Sequence, residues 1–139
     1  MIPLAWHSYM KQTQRYVLVL GQDTRTLQML GSLLDQLKCP MVVADSLDQA
    51  MLRASQTPPL MIILSGHQHN WSQKLVESLR NVANSSSCIT IVALTDFHSP
   101  SWLHQDEHPG VDGFLVKPLD SDVLFSLLQS AWARQNYCT

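Results

Sequence analysis

Five short apolar segments alternate along this chain with longer stretches in which apolar residues recur every three or four positions. The short segments are Tyr16–Leu20, Met41–Ala44, Leu60–Leu64, Ile89–Leu94 and Gly113–Val116. Most are aliphatic or β-branched throughout, which is typical of strands buried on both faces. Strands joined by helical crossovers run parallel, so the pattern predicts an α/β protein with a doubly wound parallel sheet.

The stretches between these segments carry the stripes of amphipathic helices. The stripes are Leu27, Leu30, Leu34 and Leu37; Ala50, Met51 and Ala54; Leu75, Val76, Leu79, Val82 and Ala83; and Val123, Leu124, Leu127, Leu128 and Ala131. Ser46 and Gln49 have the spacing of a capping box, and Ser99-Pro100 is typical of a helix start. Each strand is therefore followed by a helix. The fourth helix, predicted between the fourth and fifth strands, has the fewest apolar residues and is the weakest pattern.

Length and composition limit the classes of function. The 139 residues suit one domain, which we place at residues 15–135, with an N-terminal extension or linker at 1–14 and a tail at 136–139. A net charge of −2 without basic runs argues against nucleic-acid or membrane-surface binding. No apolar stretch is long enough to cross a bilayer. Cys39, Cys88 and Cys138 lack CxxC spacing, so a reducing cytoplasm is the expected setting.

Polar residues follow the predicted strands at the edge where such sheets place their ligands. Gly21-Gln22-Asp23 follows the first strand and Ser65 follows the third. Thr95 follows the fourth strand, and Lys117-Pro118 follows the fifth. The carboxyl edge of the sheet is therefore the candidate functional site.

Two segments at this edge, Ile91–Thr95 and Gly110–Asp120, resemble the receiver domain of bacterial two-component response regulators. The resemblance extends over about residues 15–135. It implies a flavodoxin-like three-layer sandwich with a five-stranded parallel sheet in the order 2-1-3-4-5. It also implies a signalling module rather than an enzyme.

The resemblance fails at the residues that carry phosphorylation in that family. There, an aspartate ending the third strand takes the phosphoryl group, and an acidic pair after the first strand holds Mg²⁺. Here Gly21 and Gln22 match the acidic pair, with Asp23 the nearest carboxylate, and Ser65 matches the acceptor. We therefore predict a degenerate, non-phosphorylatable pseudo-receiver, as in cyanobacterial clock-input proteins, which needs no cofactor.

The residues that read out phosphorylation in the family are kept. Thr95, Phe114, Lys117 and Pro118 match the switch positions. Without a phosphoryl group, Lys117 is expected to pair with Asp23 or Asp96. The resemblance implies contact with a histidine kinase, another signalling domain or a second copy through the fourth helix, fifth strand and fifth helix. The candidate interface residues there are Trp102 and Trp132.

Three alternatives stay open. The carboxyl-edge cleft could take a small, quinone-like molecule and act as a sensor. His67, His69 and His98 could meet at the same edge and bind a metal ion, since imidazole suits Zn²⁺, Cu²⁺ or Ni²⁺. An unconventional receiver could use another carboxylate, the candidates being Asp23, Asp45 and Asp96.

Overall fold

Five parallel strands form a single sheet in the computed structural model, which describes residues 16–65, 76–81, 89–95 and 111–137. The strands are β1 (Val17–Leu20), β2 (Met41–Ala44), β3 (Met61–Ser65), β4 (Thr90–Thr95) and β5 (Gly113–Val116). Their order is β2-β1-β3-β4-β5, with every neighbouring pair parallel. The predicted fold class and strand order are confirmed.

Helices follow the predicted stripes. They are α1 (Thr24–Gln36), α2 (Leu47–Gln56), α3 (76–81) and α4 (Ser121–Tyr137). Helix α4 continues past residue 135, where we had placed the end of the domain. The helix predicted between β4 and β5 lies outside the described residues, so α4 is the helix that the sequence predicts as the fifth. Within the described ranges, no helix has the length and apolar character needed to cross a bilayer.

The core has two halves, one on each face of the sheet, because alternate residues of a strand point to opposite faces. One half joins Leu18 and Ile62 to apolar residues of α2 and α3. The other joins Val19 and Ile63 to α1 and α4. Strands β1 and β3 are buried throughout, as predicted.

The prediction of burial on both faces is wrong for the two edge strands. Val43 of β2 is 39% exposed and Val116 of β5 is 41% exposed. An edge strand has a neighbour on one side only, so the helices cover it incompletely. Val123 of the α4 stripe is also exposed, whereas Leu124 and Leu128 are buried as expected.

The predicted capping box opens α2. The Ser46 hydroxyl accepts a hydrogen bond from the Gln49 backbone N–H at 3.3 Å. The Gln49 side chain in return accepts from the Asp45 N–H at 2.9 Å, one residue before the usual partner. Both bonds orient the loop between β2 and α2 at the carboxyl edge.

Helix α1 ends in a Schellman motif with a lysine in the left-handed position. Lys38 has φ 57°, and the N–H groups of Lys38 and Cys39 donate to the carbonyls of Asp35 and Leu34. Because glycine adopts this conformation without strain, we expect Lys38→Gly to stabilise the protein by about 0.5–1 kcal/mol in urea denaturation. The control Gln28→Gly, at an exposed position inside the helix, should destabilise it by about 1 kcal/mol. Equal losses in both variants would contradict the prediction.

Candidate functional site

The ends of the strands bring the predicted site residues to one edge of the sheet. Strands β3 and β4 each end one residue later than predicted, so Ser65 and Thr95 are their last residues rather than the first residues after them. Leu20 lies opposite Leu64 in the β1–β3 register, which places the loop after β1 beside Ser65. The side chain of Thr95 lies outside the described part of the chain.

Gly21 packs directly against Ser65. A Cβ atom added at Gly21 would lie 2.8 Å from the Ser65 Cβ, 3.2 Å from its Oγ and 3.3 Å from its carbonyl oxygen. Ser65 is itself buried, with 7% of its surface exposed. The position that matches one of the acidic pair therefore has no room for a side chain unless the end of β3 moves.

A second group at this edge joins the loop after β5 to the start of α1. The Thr26 hydroxyl donates to Asp23 Oδ2 at 2.5 Å and accepts from Lys117 Nζ at 2.9 Å. Lys117 Nζ lies 4.0 Å from the same Asp23 oxygen. The expected pairing of Lys117 with Asp23 is thus present, and a threonine hydroxyl bridges it.

Sequence reasoning missed Thr26, although a signal was present. Thr26 stands four residues before Leu30 and eight before Leu34, on the stripe that α1 buries. It is only 2% exposed. A polar residue on a buried helical stripe needs a hydrogen-bond partner, and this requirement points to a neighbouring charged group.

The charge on Asp23 is stabilised by its neighbours. The pKa of Asp23 is lowered, first by the hydrogen bond from the Thr26 hydroxyl and further by nearby backbone amides and the Lys117 ammonium, against a smaller opposing effect of desolvation. The adjacent Gln22 side chain donates to the Asp45 carbonyl at 3.3 Å and so joins the loops after β1 and β2. These contacts place the Asp23 carboxylate between the Thr26 hydroxyl and the Lys117 ammonium.

The remaining predicted residues divide into those described and those outside the described residues. Phe114 is partly buried and packs on the α2–α3 face, and Trp132 is partly buried against the α1–α4 face. Pro118 is exposed, and its bond to Lys117 is cis. The residues Trp102, Asp96, His67, His69 and His98 lie outside the described ranges. Among the residues that are described, no three His, Cys, Asp or Glu side chains form a metal-binding group.

Asp112 forms a further charged cluster that the sequence did not reveal. Just before β5, Asp112 Oδ2 accepts from Arg80 at 2.6 Å and from the Ile91 N–H at 2.8 Å. Its Oδ1 lies 2.8 Å from Arg134 of α4. Burial alone would raise the pKa of Asp112, but the hydrogen bonds from the two arginines and Ile91 outweigh it and lower the pKa. The cluster joins α3, β4 and α4 at the amino edge, opposite the candidate site.

Comparison with known proteins identifies the fold. No known family model matches the chain, and no curated protein matches its sequence. Solved structures do match: a two-component response regulator from Clostridium difficile has a TM-score of 0.69 at 20% identity, covering 88% of this chain and 99% of that one. This chain has the receiver fold.

Two further receiver folds agree over a similar length. Chemotaxis protein CheY4 of Vibrio cholerae has a TM-score of 0.67 at 22% identity, covering 85% of this chain and 98% of its own. The signal receiver domain of an HD domain-containing protein from Pseudomonas fluorescens has a TM-score of 0.68 at 21% identity, covering 90% of this chain and 91% of its own. The TM-scores show a shared receiver fold. At identities this low the function must be argued from the site.

Proposed function

We propose that this chain is a receiver-like signalling module that accepts no phosphoryl group and acts through protein contact, in or beside a two-component phosphorelay. The observation that carries the proposal is the contact of Gly21 with Ser65. The two positions that resemble the acidic pair and the phosphoryl acceptor are packed against each other. A side chain at position 21 would collide with Ser65, so a carboxylate beside the acceptor position would require the end of β3 to move.

The residue types at the acceptor and metal-ligand positions support the same proposal. An acyl phosphate forms only on a carboxylate, and Ser65 offers a hydroxyl. Mg²⁺ prefers hard oxygen ligands such as paired carboxylates, whereas Asp23 is the one carboxylate in the loop after β1 and already contacts Thr26 and Lys117. The described residues at this edge therefore do not fit a Mg²⁺-dependent phosphorylation site. No catalytic role is part of the proposal.

The proposed contact surface comprises β5, α4 and the helix predicted before β5, to which the candidate interface residue Trp102 belongs. Exposed apolar side chains lie there, namely Val116, Val123 and Phe125. Trp132 of α4 stays a candidate for this surface, and its ring is partly buried against the core. The proposed partner is a histidine kinase, another signalling domain or a second copy. The proposed module spans residues 15–135, extended by the end of α4, with residues 1–14 as an N-terminal extension or linker, in a cytoplasmic setting.

The phosphoryl mimic beryllofluoride tests the central claim. We expect the amide NMR spectrum to stay unchanged at Ala93, Phe114 and Lys117 when Mg²⁺ and beryllofluoride are added, because no carboxylate ends β3. The V. cholerae chemotaxis protein, measured in the same buffer, provides a reference receiver. Saturable shifts at these residues of the present chain would show that it is a phosphorylatable receiver and would overturn the proposal.

A further inference from the structure

The contact between Lys117 and Thr26 connects parts of the molecule that are distant in the sheet. Thr26 belongs to the helix after β1, and Lys117 follows the edge strand β5. Strands β3 and β4 lie between β1 and β5, so the strands are about 14 Å apart at the usual spacing. Only a long side chain such as lysine can make this connection. The contact therefore restrains the loop after β5 relative to α1.

The hydroxyl of Thr26 bonds to both charged groups, as a donor to one and an acceptor from the other. Its single proton is donated to Asp23, which leaves an oxygen lone pair for the Lys117 ammonium. The side chains of Lys117 and Asp23 are 34% and 56% exposed, and an ion pair this exposed stabilises little by itself. The buried hydroxyl between them supplies charge-assisted hydrogen bonds of fixed geometry.

We infer that Asp23, Thr26 and Lys117 form an internal latch, which holds residues 117–120 against α1 in one arrangement without a bound ligand. Residues 117–120 connect β5 to α4, and both elements belong to the proposed contact surface. A partner carrying an anionic group would have to compete with Thr26 for Lys117. The latch concerns the conformation of this loop alone, and its test is independent of the beryllofluoride experiment.

The variant Thr26→Val tests the latch, because valine keeps the shape of threonine and removes the hydroxyl. We expect the amide order parameters of Lys117 and Leu119 to fall from about 0.85 to below about 0.7. We also expect the pKa of Asp23, followed by carboxyl ¹³C NMR, to rise towards its ordinary value of 3.8, since its main stabilising hydrogen bond is lost. The matched control is Thr24→Val, an exposed position in the same helical turn, which should change neither quantity.

The other end of the latch provides a second variant. Lys117→Met removes the ammonium while keeping the chain length, and it should release residues 117–120 as Thr26→Val does, with a smaller rise in the pKa of Asp23. If Thr26→Val does not fold, Lys117→Met reports on both readouts alone. Order parameters at 117–120 that remain at the wild-type value in the folded variants would overturn the latch, and would show that Thr26 serves only the start of α1.

Discussion

Gly21→Ala is expected to lower the free energy of unfolding by about 2–3 kcal/mol in urea denaturation. The added methyl group would lie 2.8 Å from the Ser65 Cβ, which is fixed to the backbone of β3 and cannot rotate away. The end of β3 must therefore shift, and β3 is buried along its whole length. Gly21 does not have a left-handed φ, so the cost comes from this contact rather than from backbone strain.

A double-mutant cycle isolates that contact. Ser65→Gly removes the Cβ and Oγ that the new methyl group meets and leaves only the carbonyl oxygen at 3.3 Å, so Gly21→Ala in the Ser65→Gly background should cost less than about 1 kcal/mol. The coupling between the two positions should thus be about 2 kcal/mol. Gly31→Ala provides a control, because its added Cβ would meet only the flexible end of Met41 at 3.4 Å. Equal costs of Gly21→Ala in both backgrounds would show that the close packing at the candidate site is not what excludes a side chain.

Asp112→Asn is expected to destabilise the protein by about 2–3 kcal/mol, because it removes a charge that two arginines and a backbone N–H share. Most of this loss of stability should come from the broken contact with Arg80, whose side chain is only 17% exposed. The side chain of Arg134 is 41% exposed and should contribute less. Arg134→Met should therefore cost less than about 1 kcal/mol, since an exposed ion pair contributes little. Thermal and urea unfolding measure the free energy of unfolding of both variants. A loss from Arg134→Met as large as that from Asp112→Asn would contradict this division.

The same aspartate makes stability depend on pH in a defined direction. Because folding lowers the pKa of Asp112, its contribution is complete above the ordinary value of 3.8 and is lost as the pH falls through the lower folded-state pKa. The wild-type protein should therefore lose stability more steeply below about pH 4 than Asp112→Asn. Urea denaturation between pH 7 and pH 3 measures the difference. Parallel curves for the two proteins would show that Asp112 is not stabilised in its charged form.

Much of the fold was predictable from local patterns. The runs Met41–Ala44 and Gly113–Val116 are strands with the predicted bounds, and the α1 stripe buries Leu30 and Leu34. Such patterns report which residues an element buries, since periodicity follows directly from helix and strand geometry. They do not report which strands lie at the edges. The strand order came from the family resemblance, and the partial exposure of β2 and β5 follows from that order.

The location of the candidate site could be predicted from the sequence, but the side-chain contacts within it could not. The strand ends located Gly21, Ser65 and Lys117 at one edge, and their residue types are the basis of the proposal that this chain accepts no phosphoryl group. The bridge through Thr26 was not predicted, because it joins residues 91 positions apart in the chain. The Asp112 cluster was missed for the same reason, since Arg80 and Arg134 come from two separate helices.

The sequence by itself determined the class of the protein, a parallel α/β domain, and the residue types at the positions that resemble the acidic pair and the acceptor, which are Gly21, Gln22 and Ser65. Side-chain chemistry and local periodicity are properties of the chain and need no coordinates. Only the tertiary structure decided that Gly21 packs against Ser65 and that Thr26 bridges Asp23 and Lys117. Those contacts depend on the register of neighbouring strands and on distances of a few tenths of an ångström, which arise when the whole sheet and its helices pack together.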